Sequence, residues 1–275
     1  MLKMRDSNNR EIEIKFWKFP AGETGVKILS SDNLVRSVSV SFHFESNDDL
    51  INLAFLCDAV REKYTNDCKI NLFMYYFPYA RQDRYCDTGE SFSLKVISQF
   101  LNSLDFHRIY VQDMHSEVMK GLFKSGVVKN MEQHTLQHKY VTDIVSMYST
   151  DANIAIVAPD AGATKKAAKA AQSHGLDLVE FNKKRNPSNG LIEKITCSID
   201  KEKLNSYDCL IVVDDICDNG GTFIALGDVI NNQYNFKGDL HLIVTHGIFG
   251  KGLSNLNTFY KSINWVNSVG NKVIK

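Results

Sequence analysis

Short apolar runs alternate with stretches of helical period along the whole chain. Residues 38–44, 70–77, 108–111, 154–158, 176–181, 209–213 and 240–244 carry apolar runs of strand length. Between them, 48–63, 92–104, 140–148, 164–173 and 222–230 repeat apolar side chains three and four apart, as Leu50, Leu53, Ala54, Leu56, Cys57 and Val60 do. The run at 70–77 is nearly continuous in apolarity, which predicts a strand buried on both faces. Strand alternating with helix predicts an α/β fold of parallel sheets covered by helices on both sides. The 275 residues suffice for two such units. No Pro- or Ser-rich linker separates them, so two packed domains are expected, residues 1–138 and 139–275.

The sharpest local feature is residues 211–222, Ile-Val-Val-Asp-Asp-Ile-Cys-Asp-Asn-Gly-Gly-Thr. The strand at 209–213 is read as ending where Asp214 and Asp215 begin. Asp218 and Asn219 then lie in the turn, and Gly220, Gly221 and Thr222 open a helix. Glycines, inward amide N–H groups and a helix N-terminus suit a phosphate. Three acids would repel a bare phosphate, so they call for hydroxyls to bind, a metal to hold, or both. A sugar phosphate satisfies both halves of the loop. The bland reading is a buried strand followed by a solvated acidic turn, and it leaves the Gly-Gly-Thr helix start without a reason.

Composition narrows the field. Lys+Arg and Asp+Glu are equal at 32, so no basic nucleic-acid footprint or membrane patch stands out. The cysteines Cys57, Cys68, Cys86, Cys197, Cys209 and Cys217 form no C-x-x-C pair, which points to a reduced protein rather than a disulfide framework or zinc site. Residues 1–10 are polar, without a signal-peptide core, and no apolar run is long enough to span a membrane. A soluble, cytoplasmic protein is expected. There is neither a P-loop nor a G-x-G-x-x-G fingerprint. His134 and His138, four apart, could sit on one helix face, but no third zinc ligand accompanies them.

A second motif, Phe77-Pro78-Tyr79-Ala80-Arg81-Gln82-Asp83-Arg84, follows a strand directly. Arg81 and Arg84 offer forked donors to phosphate oxygens, and Gln82 and Asp83 can read the edge of a base. An ordinary solvated turn is the alternative. The segment resembles the ATP-binding segment of the ribose-phosphate diphosphokinase (phosphoribosyl pyrophosphate synthetase) family, and the 211–222 loop resembles the phosphoribosyl-pyrophosphate signature. Further pieces are similar to that family: Asp113-Met114-His115, Pro159-Asp160-Ala161-Gly162, Lys183-Lys184-Arg185 and Phe19-Pro20-Ala21-Gly22-Glu23.

The resemblance implies two type I phosphoribosyltransferase-like domains, each a mainly parallel sheet flanked by helices. It implies transfer of the diphosphoryl group of ATP to the 1-hydroxyl of ribose 5-phosphate. Asp214, Asp215, Asp218, Asn219, Gly220, Gly221 and Thr222 would hold the ribose phosphate. Phe19, Gly22, Glu23, Arg81, Gln82 and Asp83 would hold ATP, the first three across a subunit interface of a homo-oligomer. Mg²⁺ would be held by His115 and Asp160 with Asp113, and Lys183 and Arg185 would be catalytic. Asp113 and His115 are two apart, so in an extended segment both would face one side. A phosphoribosyltransferase and a non-catalytic regulatory homologue are the competing readings. The first would have no use for Arg-Gln-Asp, and the second should have lost the catalytic residue types that are all present here.

Two departures stand out. Ala21 replaces a polar residue usual in its segment. Tyr85-Cys86-Asp87-Thr88-Gly89-Glu90 carries two acids and no base where relatives often carry several. That loop implies a weak response to regulatory phosphate and ADP.

Overall fold

A computed structural model describes residues 2–30, 35–65, 67–185 and 192–270, apart from the side chains of Arg185, Ile192 and Glu193. The chain divides into two units between Met131 and Glu132. The boundary expected at 138/139 falls inside a helix, Gln133–Val145, which belongs wholly to the second unit.

The first unit runs β1 (Leu2–Asp6), β2 (Glu11–Ile12), β3 (Ile14–Lys18), β4 (Thr24–Ile28), β5 (Ser37–Phe42), α1 (Asp48–Tyr64), β6 (Lys69–Met74), α2 (Ser93–Ser103), β7 (Arg108–Gln112), α3 (Val118–Leu122) and β8 (Val128–Met131). Its sheet has the order β2-β1-β5-β6-β7-β8, and β3 and β4 form a separate hairpin. From β5 to β8 the strands are parallel, while β1 runs antiparallel to β5. In α1, Asp48 and Asp49 in the first turn and Arg61 and Lys63 in the last complement the helix dipole. Its Leu50, Leu53, Leu56, Cys57 and Val60 are buried.

Each crossover from β5 through β8 steps the same way across this sheet. Right-handed connections therefore place α1, α2 and α3 on one face. Burial follows that rule. Val38, Val40, Phe42, Ile70, Leu72, Met74, Ile109 and Val111 are core, while Ser39, Ser41, Asn71, Phe73, Arg108 and Tyr110 between them are only half-buried. The expected two-faced burial of 70–77 is thus corrected: β6 ends at Met74 and is buried on one face.

The second unit runs α4 (Gln133–Val145), β9 (Ile154–Ala158), α5 (Thr164–His174), β10 (Asp177–Arg185), β11 (Ile192–Cys197), α6 (Lys201–Leu204), β12 (Cys209–Cys217), α7 (Gly221–Asp228), β13 (Asp239–Gly247) and β14 (Ser262–Ser268). The sheet order is β11-β10-β9-β12-β13-β14. Here the step from β9 through α5 to β10 runs opposite to the step from β12 through α7 to β13. The helices therefore fall on opposite faces. Ile156, Ile211 and Val213 pack with α4 and α5, while Val157, Leu210 and Val212 pack with Phe223 and Leu226 of α7. Both faces of its central strands are buried, the usual arrangement for a parallel sheet. No helix among the described residues is long and apolar enough to cross a membrane.

Candidate functional site

In the second unit the polar residues gather at the carboxyl ends of β9, β10 and β12, where ligands of parallel sheets bind. β12 runs to Cys217 rather than ending at Val213. β9 pairs with it only as far as Val212, whereas β13 pairs through Cys217. Asp214 and Asp215 therefore sit on a strand extension that has lost its β9 neighbour.

That extension is pinned from below. Gln137 of α4 donates its amide to the Asp214 carbonyl at 2.7 Å and to Thr245 Oγ1 at 3.1 Å. Asp215 is buried, and its Oδ2 accepts from Lys166 Nζ of α5 at 2.8 Å. The Asp215 N–H donates to Asp214 Oδ1 at 2.8 Å. Burial first, then the charges of Asp215 and Asp160, push the Asp214 carboxyl well above the ordinary carboxylate range.

Asp160 stands in the turn after β9. Its Oδ1 accepts from the Gly162 and Ala163 amides at 3.0 and 3.3 Å. Its Oδ2 accepts from Lys183 Nζ at 2.6 Å, and the same ammonium lies 3.2 Å from Thr222 Oγ1 in the first turn of α7. Lys183 is carried there because β10 continues beyond its last β9 partner, Glu180, as an arm paired with β11. The Arg185 side chain lies outside the described residues.

The loop into α7 is held from the other side. The Ile248 and Phe249 amides donate to the Cys217 carbonyl, and the Gly250 amide donates to that of Asp218. Asn219 is exposed and its Oδ1 lies where a side chain at Gly250 would sit. Gly220 caps α7 at φ +80, a conformation that favours glycine, and Leu256 lies where a side chain there would point. Gly221 and Thr222 then present the first amides of the helix. Burial raises the Cys217 thiol to about 12, so it is no nucleophile at neutral pH.

The first unit brings two other motifs together. Asp83 accepts from Arg84 Nε at 2.7 Å. That hydrogen bond chiefly, helped by Ser116 and the charge of His115, holds its carboxyl below the ordinary value. Arg81 and Gln82 are exposed in the same turn. Asp113 is buried at φ +49 and its amide donates to the Met131 carbonyl at 2.8 Å, whereas His115 is exposed. The expectation that the two face one side is corrected, because the chain leaves β7 at Gln112 and turns at Asp113 instead of continuing extended. Phe19, Gly22 and Glu23 form the tip of the β3–β4 hairpin, closed by the Phe19 amide to the Glu23 carbonyl at 2.8 Å. His134 pairs with Glu132, and His138 stacks on His174 with ring centres 4.4 Å apart.

Among the described residues no three His, Cys, Asp or Glu gather to hold a metal by themselves. The acid charge around Asp214 nevertheless fits a divalent cation shared with substrate oxygens, the usual manner of Mg²⁺. Lys166, Gln137 and Thr245 are site residues that motif reading missed. Lys166 was reachable, since it sits in the first turn of the helix that opens after Pro159–Gly162.

A family model described as the N-terminal domain of ribose phosphate pyrophosphokinase matches residues 5–104. A ribose-phosphate pyrophosphokinase of Pyrococcus furiosus is 30% identical over 243 residues, 88% of this chain and 79% of the relative. One of Thermococcus kodakarensis is 27% identical over 251 residues, 91% of this chain and 83% of the relative. The crystal structure of phosphoribosylpyrophosphate synthetase from Mycobacterium smegmatis superposes with a TM-score of 0.70 at 23% identity, covering 87% of this chain and 74% of that one, a likeness of fold.

Proposed function

The chain belongs to the ribose-phosphate pyrophosphokinase family, and from that premise we infer that it is an ATP:ribose-5-phosphate diphosphotransferase. The products are 5-phosphoribosyl 1-diphosphate and AMP. The ribose 1-hydroxyl attacks the β-phosphorus of ATP, the bond to the α,β-bridging oxygen breaks, and AMP departs in line. Such transfers depend on positioning and charge neutralisation rather than on a covalent enzyme intermediate.

The second unit carries the ribose-phosphate half of the work. Asp214 and Asp215 accept hydrogen bonds from the ring hydroxyls, with Asp218 beside them. The amides of Asn219, Gly220 and Gly221 and the Thr222 hydroxyl take the 5-phosphate at the start of α7. The observation that carries this reading is the Lys183 ammonium, set between Asp160 and Thr222. It supports a role in which Lys183, with Arg185, stabilises charge on the transferring diphosphoryl group. Mg²⁺ supplies further neutralisation of the triphosphate when bound, and Asp160 is its proposed carboxylate ligand in this unit.

In the first unit, Arg81, Gln82 and Asp83 are assigned to ATP, and the exposed imidazole of His115 is assigned to the cation. Asp113, buried at the turn that leads to His115, is assigned with it to the cation. Phe19, Gly22 and Glu23 are assigned to a neighbouring subunit's ATP in a homo-oligomer. A cleft of about 520 Å³ at that hairpin tip, with Phe19, Ile51 and Phe55 exposed around it, supports an interface there. The functional division follows the two units, with its boundary moved from 138/139 to Met131/Glu132 so that α4 lies wholly in the second.

The test is AMP release from ATP and Mg²⁺ with and without ribose 5-phosphate. AMP formed one-for-one with a new phosphoribosyl diphosphate is the expected result. A folded protein that releases none would return the chain to a regulatory homologue or a transferase.

A further inference from the structure

Tyr79 holds a backbone conformation that its residue type disfavours. Its φ is +64, in the left-handed region. A non-glycine residue stays there only where its surroundings over-determine it, and such residues gather at functional sites. A glycine would adopt the same φ freely, so what the tyrosine adds is its side chain.

That side chain is anchored at both ends. The ring meets Phe44 edge-on with centres 6.3 Å apart, and Phe77 and Ala80 on either side of Tyr79 are core residues. The hydroxyl donates to Asn47 Oδ1. Asn47 is the N-cap of α1, where an asparagine side chain ordinarily accepts from the first amides of the helix. It makes no such cap here, and its oxygen serves Tyr79 instead.

The consequence falls on Gln82. Its amide donates to the Tyr79 carbonyl at 3.0 Å, closing a β-turn of which Tyr79 is the first residue. Its carbonyl accepts from the Leu94 amide of α2 at 3.1 Å. Arg81 and Gln82 are exposed, so core packing does not aim their side chains. The backbone of the turn aims them, and the φ of Tyr79 sets how the chain enters that turn.

We propose that Tyr79 is a positioning residue for ATP. Through its bond to Asn47 it holds the turn from Tyr79 to Gln82 in the conformation that presents Arg81 and Gln82 to the nucleotide, without touching the nucleotide itself. The role rests on the assignment of Arg81 and Gln82 to ATP. With the tether cut, the turn relaxes toward commoner backbone angles and only a fraction of molecules is ready for ATP, which weakens its apparent affinity by that fraction. Ribose 5-phosphate, assigned to the second unit, is unaffected.

The experiment is steady-state kinetics of the full chain, with KM for each substrate and thermal melting measured side by side. Tyr79→Phe removes the hydroxyl alone and is expected to raise the KM for ATP about fivefold, leaving kcat and the KM for ribose 5-phosphate unchanged. Asn47→Ala is expected to do the same, and Asn47→Asp, which keeps an acceptor at Oδ1, to restore the wild-type KM. The double variant Tyr79→Phe, Asn47→Ala is expected to match either single variant, because both delete one bond. Gln82→Ala tests the underlying assignment. If it leaves the KM for ATP unchanged, the ATP segment is misassigned and the role of Tyr79 falls with it. If it raises that KM while Tyr79→Phe does not, the role of Tyr79 alone is overturned. A lowered melting temperature with both KM values unchanged, additive losses in the double variant, or no restoration by Asn47→Asp overturns it as well.

Discussion

Lys183 Nζ lies 2.6 Å from Asp160 Oδ2, joining an arm of β10 to the turn after β9. The lysine side chain is 11% exposed and the aspartate 27%, so this is a held pair rather than a loose surface contact. Asp160 keeps two backbone donors of its own, so its position does not depend on the lysine alone. Lys183→Ala should therefore leave the fold and ribose 5-phosphate binding in place while lowering kcat. The expected loss is roughly a hundred- to thousandfold, about 3–4 kcal/mol, as for other single donors to a transition-state charge. Steady-state kinetics with direct ribose-phosphate binding check this, and unchanged turnover would discard the proposed role.

Asp214 gives a pH signature. Its carboxyl is raised by burial and by Asp215 and Asp160, and its ionised form is the stronger acceptor for sugar hydroxyls. The KM for ribose 5-phosphate should rise as pH falls through that raised value, at a pH above the ordinary carboxylate range. Asp215→Asn removes the nearest negative charge, lowers the Asp214 pKa and should move this acid limb to lower pH. For stability the sign is the reverse of a paired carboxylate. The contribution of Asp214 is full below about pH 4, its unfolded value, and is lost as pH rises through the folded one. A pH profile of kcat/KM with the Asn variant that fails to shift, or shifts upward, would contradict the assignment.

The loop Tyr85 to Glu90 is exposed throughout and offers Asp87 and Glu90 but no cation. The Thr88 amide is already taken by Asp87 Oδ1 at 2.7 Å. An anion would find neither charge nor that donor there. Turnover at saturating Mg²⁺ should change less than about twofold when inorganic phosphate is added, since no charge-assisted contact is available. A strong phosphate requirement in the same assay would place a regulatory anion on this loop after all.

Much of this was legible in the residues. β9 falls on 154–158 as read, and α1, α2 and α5 fall within a residue or so of theirs, because apolar spacing reports local period directly. The carboxylate loop and Pro159–Gly162 were likewise visible as motifs. What escaped depends on topology. Whether β6 is buried on one face or two turns on the direction of three successive crossovers, which its own six residues do not encode. The overrun of β12 depends on β9 being shorter. The β1–β4 region was missed because its strands are brief and polar on one side. Gln137 carries no motif at all, since its partner lies 77 residues away.

That partner makes Gln137 the most informative remaining substitution. Past Val212, β12 has no β9 neighbour to donate to its carbonyls. The Gln137 amide supplies the donor at 2.7 Å and ties the same point to Thr245 of β13. Gln137→Leu keeps the side-chain volume and removes the donor, so it should cost about 1–3 kcal/mol of stability for the stranded carbonyl. Because the released segment carries Asp214 and Asp215, the KM for ribose 5-phosphate should rise severalfold while the KM for ATP stays constant. Chemical denaturation gives the first quantity and paired substrate titrations the second. A loss of stability with both KM values unchanged would make Gln137 a structural support only, and equal changes in both would point to general loosening of the unit rather than to the carboxylate strand.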